Sequence, residues 1–502
     1  MAARLLWEAG SMSAFAPSPT TSSDRPPANF ARAEAAALAL LRSGRRRDAH
    51  VAFVELASRW PDVERVATTA AVLTLEETGA VAARPELERV VVRFPSSATA
   101  WGALGQAAAA TGDRVAAREA LTRAVSLDGA DARLWFALGR LRFMDGDAVA
   151  ADEAFAKAVA LDDRAAAAMA GRAAAANWLG DWVTGERHAR AALAVDPADA
   201  DAELNLGVAC LAQGRWDAGW RHYEARWRTA LAAGARHRWP GRRWRGEPGD
   251  GATLVVHAEQ GFGDTIQFAR LAPSARALGF RVVLAVQAPL VRLLDRAALA
   301  DAVVPFDAAP ADAAWHVPLL SLPRFVPPGD GRPYLSCDHA AARPARGPRL
   351  GLVWAGSGTH ANDARRSIPL EAFAPMLAVP GLTWQSLQHG ARAAESGRAP
   401  WPITPMPDVA DFAETAAIVA SCDAVVTVDT AVAHLAAAMG IPTWVLVPAM
   451  GRDWRWATAT GGRTAWYDAA RVVTQRRDGD WATPIAALAA AIGRGIARGG
   501  AP

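Results

Sequence analysis

The stretch Val425-Val426-Thr427-Val428-Asp429-Thr430-Ala431-Val432-Ala433-His434-Leu435 joins a β-branched run to a run of helix-forming residues. Residues 425–428 predict a buried parallel strand, residues 431–439 predict a helix that ends at Gly440-Ile441-Pro442, and residues 443–447 predict the next strand. In an open α/β sheet, the helix N-terminus of such a unit lies where ligands bind, and its free N–H groups favour phosphate. A capped helix with a satisfied histidine is the alternative that these residues leave open.

Length and composition set the frame around this unit. The 502 residues are enough for two or three domains, and a chain with 52% hydrophobic and 21% charged residues is globular. The net charge of +3 does not indicate a nucleic-acid-binding protein. Cys210, Cys337 and Cys422 lie far apart without CxxC spacing, which argues against a disulfide framework or a zinc site. Because Lys157 is the single lysine, a cation that binds phosphate should be an arginine.

The cellular location follows from two further absences in the sequence. The first residues contain no convincing signal peptide, and the Ser/Pro/Thr-rich composition predicts that residues 1–26 are disordered. No stretch reaches the roughly 18 uncharged apolar residues that a membrane span needs. We therefore expect a cytoplasmic protein without a transmembrane segment, and peripheral membrane contact stays open.

Residues 27–230 carry a 34-residue period. Positions that keep this step are Gly112, Gly146, Gly180 and Gly214; Asp128, Asp162 and Asp196; Pro27, Pro61 and Pro95; and Trp101 and Trp135. A unit of this length with Trp and Ala on the first helix and Gly at the turn resembles the tetratricopeptide repeat. The period predicts about six helical units, the first two degenerate, which stack and offer a concave surface to peptide or protein partners.

The array should end in a segment that docks it to the next domain. Residues 214–227 are rich in aromatic and charged side chains, unlike a polar capping unit, so we expect Trp216, Trp220 and Trp227 to be interface anchors. Residues 231–251 then predict a docking segment and linker, because they are rich in Trp, Arg, Gly and Pro.

Two α/β domains are predicted after the linker, one over residues 252–345 and one over residues 346–502. In the first, a strand at 254–257 is followed by Gly261-Phe262-Gly263-Asp264 and a helix over 265–278. This is not a G-x-G-x-x-G pattern, so a dinucleotide site is not favoured. Asp264 is either a helix cap or a carboxylate placed for general-base work. In the second, Arg365 and Arg366 follow a Gly/Ser/Thr-rich loop and are candidate phosphate ligands in a cleft between the domains.

These motifs together resemble glycosyltransferase family 9. The resemblance covers roughly residues 252–490 and is closest to the bacterial branch in which tetratricopeptide repeats precede such a domain. It implies a GT-B fold of two facing Rossmann-like domains, with Asp264 as the catalytic base. Glu259, five residues earlier in the same loop, is the competing candidate. The donor-binding residues that it implies are Arg366 in place of the usual Lys, Gln388 near a ribose-binding position, and Asp429, Thr430, Ala431 and His434 at the diphosphate; the acceptor loop would comprise Glu259, Gln260, Gly261 and Gly263.

The reaction implied by the resemblance is sugar transfer from a nucleotide-diphosphate donor to an acceptor hydroxyl on a protein or glycan. The transfer would be inverting and metal-independent, and the nucleotide sugar would be a substrate, with no cofactor. The repeats would recruit the acceptor or another protein partner. Two alternatives remain open: a non-catalytic repeat scaffold with a nucleotide-sugar-binding module, and an epimerase of the same fold.

Overall fold

The computed structural model describes residues 28–229, 239, 241–337, 340–341, 347–360, 362–457 and 462–497. The predicted disordered N-terminus, residues 1–26, lies outside the described residues. Most of residues 230–240 in the predicted linker do as well. No helix within the described ranges combines the length and the apolar character that crossing a membrane requires.

Twelve helices between residues 28 and 223 form six antiparallel hairpins, which confirms the predicted helical array. They are α1 (Ala28–Arg42), α2 (Arg46–Arg59), α3 (Glu64–Thr78), α4 (Ala80–Arg93), α5 (Ala98–Ala110), α6 (Arg114–Leu127), α7 (Ala132–Met144), α8 (Ala148–Leu161), α9 (Ala166–Leu179), α10 (Trp182–Val195), α11 (Ala200–Ala212) and α12 (Trp216–Tyr223). Each helix packs mainly against its neighbours in sequence, as expected for a repeat array.

The 34-residue period has a local structural cause at each turn. The glycine between the two helices of a hairpin takes a positive φ, for example 85° at Gly112 and 81° at Gly146, where a side chain would be strained. In the third, fourth and fifth hairpins, the aspartate that follows this glycine (Asp113, Asp147 or Asp181) caps the second helix by accepting a hydrogen bond from its first turn. The repeat sequence thus specifies where each helix stops and the next begins.

The first parallel sheet has the strand order β1-β5-β2-β3-β4. Its strands are β1 (Arg242–Arg243), β2 (Thr253–His257), β3 (Arg281–Val286), β4 (Ala302–Pro305) and β5 (Trp315–Pro318), and its helices are α13 (Phe262–Ala269), α14 (Ala272–Ala277) and α15 (Val291–Arg296). The single helix predicted over 265–278 is wrong, because two helices occupy this range. Pro273 begins the second one, since it has no N–H to continue the first.

The second parallel sheet has the order β11-β10-β9-β6-β7-β8. Its strands are β6 (Arg349–Val353), β7 (Thr383–Ser386), β8 (Ile403–Thr404), β9 (Ala424–Val428), β10 (Thr443–Val447) and β11 (Ala470–Thr474); its helices are α16 (Asp363–Arg366), α17 (Ala374–Leu377), α18 (Phe412–Val419), α19 (Ala431–Ala438) and α20 (Ala482–Ala497). Two parallel sheets with helices between their strands are the Rossmann-like pair that the sequence predicts.

Part of the predicted linker belongs to the first sheet. Arg242 and Arg243 pair with β5, and the Trp244 side chain is buried against Phe280 and Phe325. The description of residues 231–251 as a linker is therefore wrong for this part. The sequence did not predict this edge strand because its two residues are both arginines and carry no apolar pattern. One of them, Arg242, stacks on Trp315.

The end of the array packs against both sheets through aromatic side chains. Trp220 is buried, and its ring lies 5.5 Å from that of Phe268 beside the first sheet and 5.3 Å from that of Trp454 beside the second. Trp216 meets Trp466 at 5.1 Å between ring centres. Aromatic contacts of this kind add to the stability that area burial provides. The last helix of the array therefore packs against residues beside both sheets and holds them together.

Candidate active site

A cleft of about 1810 Å³ opens at the carboxyl ends of β2, β6, β7 and β9. Both sheets contribute walls, as expected for ligand sites in open parallel sheets. The predicted site residues that line it are Gln260, Gly261, Gly263, Asp264, Arg366, Gln388, Asp429, Thr430, Ala431 and His434. Of the predicted candidates, Glu259 and Arg365 do not line the cleft.

Residues 429–434, here called the second loop, comprise the two-residue connection between β9 and α19 and the first turn of that helix. Thr430 is extended and immediately precedes the helix, and Thr430, Ala431 and Val432 at the helix start line the cleft. Asp429 accepts a hydrogen bond of 2.7 Å from the Trp456 indole. Burial raises the pKa of Asp429 to about 6, with nearby Asp453 acting in the same direction and Arg366 opposing it. The start of α19 is therefore available to a negatively charged ligand.

Arg366 lies at the end of α16, across from the second loop. Its Nη1 donates to the Asp429 carbonyl oxygen at 3.2 Å, and its Nε lies 3.6 Å from Asp363 Oδ1. The guanidinium packs directly beneath Gly356, where a side chain would collide with it. Arg365 points elsewhere, to Asp478 and to the Gly146 carbonyl of the array. Of the two candidate phosphate ligands, the structure thus places Arg366 in the cleft.

Residues 258–264, here called the first loop, comprise the connection between β2 and α13 and the first residues of that helix, on the opposite wall. Asp264 Oδ2 accepts a hydrogen bond of 3.0 Å from the Gly261 N–H, so the residue does serve the start of its own helix. Its other oxygen lies 2.6 Å from Arg455 Nη2. Each carboxylate oxygen keeps a second lone pair. The cap and a chemical role are therefore compatible.

Arg455 is a buried cation between two carboxylates of the cleft. Its Nη1 donates to both oxygens of Asp453 at 2.9 Å, while its Nη2 pairs with Asp264. Burial raises the pKa of Asp264, and Arg455 opposes this by favouring the charged carboxylate. Burial also acts to raise the pKa of Asp453, but Arg455 outweighs it and the pKa is lowered. Arg455, which lies beside the second sheet, thus favours the ionised form of Asp264, which lies beside the first sheet.

The two loops touch at Gly263 and His434. A Cβ atom on Gly263 would lie 2.7 Å from His434 Cδ2, so only glycine allows this approach. The His434 ring is held by a hydrogen bond of 3.0 Å between Nδ1 and the Tyr467 hydroxyl and by contact with Trp456. Burial, with Arg455 nearby, lowers the pKa of His434 to about 3, so the ring is neutral near pH 7.

Glu259 lies at the junction between the array and the first sheet. Its carboxylate pairs with Arg226 through two hydrogen bonds of 2.9 Å and accepts a third, of 3.0 Å, from the Leu320 N–H. The Arg226 and Glu259 side chains are only 5% and 6% exposed. The structure therefore places the Glu259 carboxylate outside the cleft, with its oxygens engaged by Arg226 and the Leu320 N–H.

The Gln388 side chain reaches the cleft wall, but its amide is engaged by the loop after β6. Its Oε1 accepts from the Trp354 and Ala355 N–H groups at 3.1 and 2.9 Å, and its Nε2 donates to the carbonyls of Ala355 and His389 at 3.0 Å. These bonds fix the loop that covers Arg366. The structure therefore gives Gln388 a positioning role that the ribose assignment did not anticipate.

Several cleft residues were not identified from the sequence. Asp453 and Arg455 are not among the predicted site residues, and nothing in the sequence indicates that Arg455 meets Asp264. Arg114 and Met144 line the mouth from the array, and no local pattern distinguishes them from other repeat residues. Among the described residues, no group of three or more His, Cys, Asp or Glu side chains is arranged to hold a metal ion.

Comparisons with known proteins agree with this organisation. Residues 401–446 match the model of glycosyltransferase family 9 (heptosyltransferase). This range includes β9 and the whole second loop. The match supports a glycosyltransferase activity in broad terms. Protein FlbA of Caulobacter vibrioides is 28% identical over 308 residues, which are 54% of this chain and 51% of that protein. The chain thus spans about half the length of the curated relative that it matches.

Solved structures resemble the helical array. A tetratricopeptide repeat protein of Thermus thermophilus, TTC0263, is 19% identical, covers 36% of this chain and 99% of its own, and has a TM-score of 0.32. MamA from Desulfovibrio magneticus RS-1 is 18% identical, covers 34% of this chain and 98% of its own, and has a TM-score of 0.31.

Proposed function

We propose that this protein transfers a sugar from a nucleotide-diphosphate donor to the hydroxyl of an acceptor. The observation that carries the proposal is the placement of opposite chemistry on the two walls of one cleft. The second loop offers a helix N-terminus beside Arg366, and the first loop offers the carboxylate of Asp264. The family match over residues 401–446 supports the same reaction class.

The donor diphosphate binds between Arg366 and the start of α19. The bond between the sugar carbon and the diphosphate oxygen breaks in the reaction, and the electron pair leaves with the diphosphate. Arg366 and the helix N–H groups stabilise the negative charge that develops there. Because these groups already supply positive polarity, we propose a metal-independent reaction. The small side chains of Thr430 and Ala431 allow the anion to approach the backbone.

Asp264 acts as the general base. The acceptor oxygen forms the new bond to the sugar carbon, and its proton passes to the Asp264 carboxylate as the diphosphate departs. Base and leaving group lie on opposite walls, which fits an inverting displacement. Arg455 is a positioning residue in this scheme: it orients Asp264 and favours its ionised form. Neutral His434 packs the two walls together without adding charge.

A panel of nucleotide sugars tests this proposal. Thermal shift with the purified chain should identify a stabilising nucleotide sugar, because a ligand that binds only the native state raises the melting temperature. The matching nucleoside diphosphate should stabilise as well, and the monophosphate should do so less. Released diphosphate then reports turnover, and EDTA should leave it unchanged. Stabilisation without turnover, even with a mixture of hydroxyl-bearing peptides and glycans, would favour the non-catalytic module instead.

A further inference from the structure

The array supplies one side of the cleft mouth. Ala109 and Ala110 at the end of α5, Gly112 in the turn, Arg114 at the start of α6 and Met144 at the end of α7 line the same cleft as Asp264 and Arg366. Ala110 and Arg114 are exposed, and a Cβ atom on Gly112 would meet nothing within 4 Å. The space above this turn is therefore open and continuous with the candidate active site.

The size of the cleft indicates a second occupant. Pockets that enclose one drug-sized ligand measure about 300–1,000 Å³, whereas this cleft measures about 1810 Å³. A nucleotide sugar bound at the second loop would leave much of the volume unfilled. The remaining part includes the mouth, which lies between the first loop and the array.

The chemistry of the array side favours a polypeptide as the second occupant. The array residues that line the cleft are small or apolar apart from Arg114, and none of them carries an aromatic ring or a carboxylate; the Asp145 carboxylate beside Arg114 is already engaged by that arginine. Sugar rings are commonly held by aromatic stacking and by carboxylates that accept from their hydroxyls, and the lining residues of the array supply neither. A smooth wall of alanine and glycine instead lets an extended backbone approach closely.

Arg114 adds a charge preference to this wall. Its side chain is 53% exposed, and its Nη1 is the atom that donates to the Met144 carbonyl and to Asp145. A guanidinium has five N–H donors, so those on Nε and Nη2 are not used by these two bonds. We propose that the array edge at Ala110, Gly112 and Arg114 binds a polypeptide acceptor that carries an acidic side chain beside its hydroxyl residue. The inference rests on the proposed function for the identity of the reaction.

Binding of defined peptides to the full-length chain tests this surface. The peptide probes are two fluorescent decapeptide libraries with a central Ser and Ala/Gly flanks; the flanks of one library contain two Glu residues, and those of the other contain two Lys residues. The sugar probes are labelled oligosaccharides of glucose and of N-acetylglucosamine. We expect the acidic library to bind in a fluorescence polarisation assay. Ala110→Trp should weaken binding at least about tenfold by filling the mouth, and Arg114→Glu should reverse the preference toward the Lys library.

Two matched variants control for indirect effects. Arg118 lies one turn further along α6 and also faces Asp145, but it does not line the cleft, so Arg118→Glu should leave the preference unchanged. Ala130 is an exposed alanine in the connection between α6 and α7, at the opposite edge, so Ala130→Trp should bind peptide normally. Circular dichroism of each variant establishes that it is folded.

Three outcomes would overturn the inference. Neither peptide library binds the unmodified chain; or the Ala110→Trp and Arg114→Glu variants bind the acidic library as well as the unmodified chain does; or an oligosaccharide binds and the peptides do not. Calorimetry with nucleoside diphosphates on the same proteins separates this failure from a failure of the proposed function. Normal nucleotide affinity with no peptide binding rejects the array surface alone. Peptide binding without any nucleotide affinity rejects the transfer reaction and keeps the surface.

Discussion

The first and second loops have the same strand-to-helix construction but present different chemical groups to the cleft. Each follows the carboxyl end of a parallel strand and leads into a helix, one in each sheet. The first presents a carboxylate held by a buried cation, and the second presents a helix N-terminus beside Arg366. The contact between Gly263 and His434 brings them face to face. The same local fold thus places a carboxylate on one wall and a helix N-terminus beside an arginine on the other.

The difference between the loops comes from what packs behind them. The array reaches the first loop through Arg226, which engages Glu259 and leaves Asp264 as the carboxylate that faces the cleft. Behind the second loop lie Trp456 and Tyr467, which bury His434 and keep it neutral. Distant packing therefore decides which side chain of each loop is available for chemistry.

The largest effect should follow from removing the base of the first loop. Asp264→Asn keeps the shape and the cap, and we expect turnover to fall by roughly 10²–10⁴-fold, the usual contribution of general-base catalysis, with nucleotide affinity barely changed. Steady-state kinetics and calorimetry measure the two quantities. Glu259→Gln is the matched control in the same loop: it should cost about 3 kcal/mol of stability by weakening a buried ion pair, while the folded protein keeps its turnover.

Beside the second loop, Arg366→Ala should weaken nucleoside diphosphate binding by roughly 10–100-fold, because a hydrogen bond to a charged group contributes about 1.5–3 kcal/mol. Calorimetric titration measures this. The neighbouring Arg365 pairs with Asp478 outside the cleft, so Arg365→Ala should bind normally. Equal affinities for the two variants would remove Arg366 from the donor site.

The pH profile tests the cation that links the two walls. Transfer requires ionised Asp264, so the rate falls as the pH drops through the pKa of that group. Arg455 favours the ionised form, and its removal raises the pKa further. Arg455→Gln should therefore move the acidic limb of the rate profile to higher pH, whereas Arg455→Lys should largely restore it. An unchanged limb in Arg455→Gln would show that another group controls the rate.

The smallest effect should come from the contact between the loops. Gly263→Ala places a Cβ atom against the His434 ring, which Trp456 and Tyr467 prevent from moving away. We expect turnover to fall about fivefold, a fraction of the hundredfold loss that a displacement of about 1 Å can cause. Gly358→Ala, where a Cβ atom would meet nothing within 4 Å, should behave as the unmodified chain. Identical rates would mean that the loops need not touch.

The second loop could be predicted closely from the sequence. The strand, the helix and the following strand lie within one residue of the expected bounds, because β-branched runs and the Gly-Ile-Pro stop act locally. The repeat array was equally accessible, since its turn glycines and capping aspartates recur at a fixed step.

The first loop could not be resolved in the same way. Whether Glu259 or Asp264 faces the cleft depends on Arg226, which lies 33 residues earlier in the chain, and on Arg455, which lies nearly 200 residues later. No local periodicity encodes contacts of this range. The engagement of Gln388 with the loop after β6 and the strand at Arg242 were missed for the same reason.

A crystal structure with the nucleoside diphosphate identified by the panel tests the central claim most directly, since it locates the donor between the two loops. We predict that the diphosphate lies within hydrogen-bonding distance of the Arg366 guanidinium and the first N–H groups of α19, with Asp264 across the cleft. A diphosphate bound away from both Arg366 and the start of α19 would contradict the account.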